Sequence, residues 1–286
     1  MARIGDVWDS TTDVLAGRAG LIAPVAAGAV FVPQSLQRAV RIFGDQSPGI
    51  AALALLIGLA ALVANLWAGL TIIAIASDPT TTREAAGRQA LARLSANLLV
   101  VVVLVGAVVL LAMPPIVALA ATGFDFTAAT AASAGTGTMP AVAPGVGGFI
   151  ALYALAVFVL ALWASSRLFL VNTIVLNEKR ALGALGRSVA LTRGLTWRLI
   201  GVAILFGIVL LVASSAAALI VGIVTRLALG PDQIKLALFL ASIASAAVQT
   251  AFVAMVQVFA ARLYAAVTGG VARAPEQPAA ATGPWG

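Results

Sequence analysis

Long uninterrupted apolar runs alternate with short polar stretches along this chain. Residues 49–76 and 199–224 each exceed the roughly 20 residues that a helix needs to cross a hydrocarbon layer about 30 Å thick. The pattern predicts six spanning helices, at about 20–36, 49–76, 95–121, 147–174, 199–224 and 235–264. Pro24, Pro33 and Gln34 interrupt the first. Pro114 and Pro115 remove two backbone donors and predict a kink near the outer end of the third.

Amphipathic segments precede alternate spans. Ile4, Val7, Trp8 and Leu15 share one face, with Asp6, Asp9 and Asp13 opposite. Ala86, Ala90 and Leu94 share another, behind Thr81 and Glu84 at capping-box spacing. Leu182, Leu185 and Val189 gather apart from Arg180 and Arg187, with Gly194 as a helix stop and Trp197 as an interfacial anchor. The expectation is three in-plane helices, at 4–17, 81–94 and 180–193, each lying in the headgroup layer and leading into an outward span.

The chain also repeats itself. Leu66–Trp67–Ala68 recurs as Leu162–Trp163–Ala164, Arg167–Leu168–Phe169 as Arg262–Leu263–Tyr264, and Gly87–Arg88 as Gly186–Arg187. The matches keep one order at a spacing of 95 to 99 residues. The fold class expected is therefore an all-α polytopic membrane protein: one six-span domain over 1–268, built from repeat units of about 1–76, 77–176 and 177–268. The Pro/Gly/Ala-rich stretch 269–286 reads as a disordered cytoplasmic tail.

Composition sharpens this. Hydrophobic residues make up 62 % and charged residues 9 %, with a mean hydropathy of +1.09. Zero His and zero Cys remove the commonest general base, thiolate nucleophiles and the usual transition-metal ligands. Ser165, Ser166, Ser214 and Ser215 then have no base to activate them, so no catalytic residue, metal site or cofactor is expected. Asp6, Asp9 and Asp13 stand where a cleavable signal needs positive charge, so a retained N-terminus is expected. The net charge of +7 flanks the spans, which points to orientation and not to nucleic acid. Lys179, Arg180, Arg187, Arg193 and Arg198 crowd 177–198, whereas 122–146 carries one Asp and no basic residue. The positive-inside rule then puts both termini in the cytoplasm. The outer segment, rich in Gly, Ala and Thr, reads as a flexible tether.

The stretch Arg167–Gly201 resembles the glycerophosphoryl diester phosphodiesterase membrane-domain family and related YciC-like bacterial inner-membrane proteins. Arg167, Ala181–Leu182, Arg187–Ser188, Leu191–Thr192–Arg193–Gly194 and Trp197–Arg198 carry the likeness, with Ile4–Gly5–Asp6–Val7, Leu15 and Arg18 near the start. Asn177–Glu178–Lys179 departs from the family's acidic, glycine-containing turn. The resemblance covers the membrane part alone, without the soluble phosphodiesterase domain. It implies a bacterial inner-membrane location and this helical architecture, not that enzyme's activity.

Four polar groups fall within predicted spans. Arg167 snorkels, bonds a neighbouring carbonyl, or lines a polar cavity. Asn65, Gln249 and Gln257 either bond between helices or mark a path, and a small-residue stripe at Ser242, Ala246, Thr250 and Ala254 favours packing. Arg180, Arg187, Arg193 and Arg198 are the candidates for lipid headgroups, anionic lipid being the partner implied. Two functions compete: a non-enzymatic lipid-associated scaffold or accessory factor, and a small-solute or lipid transporter with a cavity near Arg167.

Overall fold

The computed structural model describes residues 4–44, 47–133 and 137–269. The proposed tail, apart from Gly269, lies outside them. The described residues are helical with no strand, and six helical stretches are long and apolar enough to span: Ile4–Phe43, Pro48–Ser77, Arg83–Ala121, Pro144–Asn177, Thr196–Leu229 and Ile234–Thr268.

The first stretch joins α1 (Ile4–Ala26), a π-helical turn (Ala27–Phe31) and α2 (Val32–Phe43). Pro33 explains the wide turn, because its ring lacks an N–H and collides with the carbonyl four residues back. There the Val32 N–H reaches back five residues to the Ala27 carbonyl. Ser47 caps α3 (Pro48–Ser77), with Pro48 in its first turn. Thr82, one residue later than the Thr81/Glu84 spacing suggests, caps α4 (Arg83–Ala121) by accepting from the Ala85 N–H at 3.3 Å. α4 runs through Pro114 and Pro115 without interruption.

The 122–146 segment is not a plain tether. Asp125 accepts from the Thr127 and Ala128 N–H groups, both at 2.9 Å, and so starts the short helix α5 (Phe126–Ser133). α6 (Pro144–Leu168), α7 (Val171–Asn177), α8 (Gly183–Leu191), α9 (Thr196–Leu229) and α10 (Ile234–Thr268) complete the chain. Gly230 and Gly269 end α9 and α10 with φ of 79° and 72°.

Two of the three expected in-plane helices are not separate elements. Residues 4–17 continue into α1, and 81–94 continue into α4. An isolated Gly17 or Gly20 weakens a helix without stopping it, and Leu94–Ser95–Ala96 holds no breaker. Only α8 stands alone, because Gly194 adopts φ +82° after it.

The buried core sits at one end of the bundle. Leu70, Ile72, Ile73 and Ile75 of α3, Ile174 and Val175 of α7, and Val258, Phe259 and Leu263 of α10 are each at most 1 % exposed. Toward the other end, Leu55, Leu59, Val108, Leu110, Leu152, Leu155, Leu211 and Leu219 all face outward. Such a wide apolar girdle is tolerable only against lipid. The protein is an integral membrane protein.

Side-chain bonds between helices tie the buried end together. Trp67 Nε1 donates to the Gly87 carbonyl at 3.1 Å (α3 to α4). Arg167 donates to the Val189 carbonyl at 3.3 Å (α6 to α8). Arg262 Nε donates to Ser10 Oγ at 2.6 Å (α10 to α1).

Candidate functional site

Two polar regions stand out from the apolar frame. The first surrounds α8. The fourth span breaks after Leu168 and resumes at Val171, leaving the Arg167 carbonyl to be satisfied from outside its helix. Ser188 Oγ donates to it at 2.7 Å, and Thr192 Oγ1 at 3.4 Å, and both donor residues are fully buried. The Arg167 guanidinium, besides reaching Val189, lies 5.6 Å from the Trp163 ring centroid. Arg167 thus clamps α8 to the fourth span.

The four headgroup candidates divide. Arg180 and Arg187 both pair with Glu178, at 3.4 and 3.2 Å, and Glu178 also accepts from the Tyr264 hydroxyl at 3.1 Å. Arg193 and Arg198 are exposed, with Trp197 between them at 85 % exposure. The buried face of α8 is Ala184 and Ser188, and Leu185 packs inward onto the core, so only Leu182 of the predicted apolar triplet is largely exposed.

The second region is a cavity of about 420 Å³ among α2, α3 and α10, with Gln34, Gln37, Arg38 and Arg41 on one wall and Gly58, Asn65 and Gln249 opposite. The π-turn and α2 build the first wall, since 34, 37, 38 and 41 repeat at i, i+3, i+4 and i+7 and share a helix face. Helical side chains lean toward the N-terminus, so both arginines are carried back from the α2–α3 turn into the bundle. Arg38 donates to Gln249 Oε1 at 2.9 Å and also to the Ser242 carbonyl. Gln249 Nε2 donates in turn to Ser245 Oγ at 3.1 Å. Gln34 Oε1 is buried with no hydrogen-bond partner, and none of the lining residues is acidic.

Residues 10–267 match a family described as a domain of unknown function (DUF7847). The chain belongs to that family. No curated protein and no solved structure matches the chain. The family match takes in both polar regions, so each is part of the family domain.

Of the intramembrane polar residues singled out in the sequence, Asn65 and Gln249 share this cavity. Arg167 is engaged at α8, and Gln257 sits where α10 approaches Gly69, whose added Cβ would lie 3.2 Å from Gln257 Nε2. The sequence reading notes Gln34 only as an interruption of the first span and passes over Gln37, Arg38 and Arg41 because it ends that span at 36. Their helical spacing was the available signal.

Proposed function

We propose that the protein is a non-enzymatic, lipid-associated scaffold or accessory factor of a bacterial inner membrane, with both termini cytoplasmic. The observation that carries this reading is the exposed Arg193–Trp197–Arg198 surface, held at the start of α9 by the α8 clamp. An aromatic ring flanked by two guanidiniums suits the headgroup boundary, where each basic residue contributes about 1 kcal/mol toward anionic lipid. Arg180 and Arg187 contribute less, because Glu178 already neutralises part of their charge. The bonds from the second and fourth spans to the amphipathic segment that follows each, with the one that links the last span to the first segment, support a threefold repeat closed into a ring. Kinship with the phosphodiesterase membrane-domain proteins remains part of the same proposal, resting on the Arg167–Gly201 motif.

Native mass spectrometry of the purified protein tests the reading. Arg193→Gln with Arg198→Gln should lower retained anionic lipid, whereas Arg180→Gln with Arg187→Gln should change it less. Equal retention in wild type and both double variants would reduce the cluster to a topology signal. A transporter is the second reading, favoured by the cavity among α2, α3 and α10 and not by Arg167.

A further inference from the structure

We infer that the cavity among α2, α3 and α10 is a binding site for a phosphate group, held chiefly by Arg38 and Arg41. Two guanidiniums line one partly open, polar space, and no carboxylate among the described residues lines it with them. Arg41 has no hydrogen bond or ion pair to any described residue, and Arg38 is bound only to neutral acceptors. Arg38, partly buried, and Arg41, exposed, repel each other with no carboxylate among the described lining residues, and an anion between them relieves that repulsion.

Arg38 itself is not snorkelling. Its guanidinium is fixed to the Ser242 carbonyl and to Gln249, eight and fifteen residues into α10, instead of reaching past the α2–α3 turn to water. That anchoring leaves a planar fork pre-set for an oxyanion. The carboxamides of Gln37 and Asn65 bring further donors to the same space, more than the two oxygens of a carboxylate can use and suited to the three or four of a phosphate. The unpartnered Gln34 Oε1 offers an acceptor for a hydroxyl or amine beside the phosphate. The volume of about 420 Å³ falls in the range of small-molecule sites, so it admits a headgroup or a small soluble phosphate.

Full-length protein in detergent would be titrated with inorganic phosphate by calorimetry. In parallel, it would be placed in nanodiscs of phosphatidylcholine with or without phosphatidylglycerol, and bound lipid counted by native mass spectrometry. Saturable binding of inorganic phosphate identifies a soluble ligand, and selective retention of phosphatidylglycerol alone identifies a headgroup; either supports the site. Arg41→Gln should weaken that binding about tenfold or more, and it leaves the fold intact because Arg41 is exposed and makes no structural bond. Ala61→Phe, which fills the cavity without touching a charge, should abolish it. Arg193→Gln with Arg198→Gln lowers the overall count of anionic lipid but should leave unchanged both the phosphate affinity and the lipid that Arg41→Gln removes, which separates this site from the Arg193–Trp197–Arg198 surface. No saturable binding in either arm would overturn the inference. So would unaltered affinity in both Arg41→Gln and Ala61→Phe, with each eluting as folded protein.

Discussion

A carboxamide without a partner is expensive inside a bilayer, and Asn97 of α4 carries one: it is 1 % exposed, and neither its oxygen nor its nitrogen has a hydrogen bond. Asn97→Leu should therefore stabilise the detergent-solubilised protein by about 1–3 kcal/mol, the desolvation cost of an unsatisfied group. A fall in thermal midpoint on that substitution would mean that Asn97 bonds something in the native membrane. At the far end of α3, Asp78 is held below its ordinary value of 3.8 by hydrogen bonds from the Thr80 hydroxyl, the Thr80 N–H and the Thr81 hydroxyl. A lowered carboxyl contributes stability above its unfolded pKa and loses it as pH falls through the lowered value. The 78–82 turn should thus keep its amide protection at neutral pH and lose it only below the ordinary carboxylate range, which hydrogen exchange at Thr80 would read. The sequence reading found Asn65 and Gln249 because each interrupts an apolar run, but not Asn97, at the margin of its predicted third span. Nor could it see that Asn65 and Gln249 meet, since helix pairing is not written in hydropathy.

Between elements, glycine decides one close approach and one turn. A Cβ on Gly87 would lie 3.2 Å from the Trp67 ring, at the point where Trp67 bonds the Gly87 carbonyl. Gly87→Leu should force α3 and α4 apart and cost about 1–3 kcal/mol, seen as a lower unfolding midpoint. Gly194 at φ +82° separates α8 from α9, and an alanine there should cost on the order of 1 kcal/mol or more. Gly194→Ala should also raise proteolytic cleavage near Arg193, because the α8 clamp loosens. The six spans and the Gly194 stop were legible in the sequence, since apolar run length and a break residue act locally. The independence of 4–17 and 81–94 was not, because amphipathicity has the same period in a separate helix and in the first turns of a continuous one.

For the molecule as a whole, the packed end and the splayed, apolar end divide the bundle into unequal halves. Under the proposed orientation the packed end is cytoplasmic. Because the chain has no cysteine, Met139→Cys gives a single label site at a position 71 % exposed in the outer segment. Impermeant maleimide added outside should label it, and labelling only after permeabilisation would invert the topology. Residue 136, in the same segment, lies outside the described residues. The hydrogen bond between Arg262 and Ser10 spans 252 positions of sequence. At about 5–20 residues per second, α1 waits roughly 10–50 s for the helix that receives it. During that interval Val7, Thr11 and Ile22, all buried in the finished bundle, have no α10 to meet, so biogenesis should depend on whatever shelters a half-made ring in the membrane.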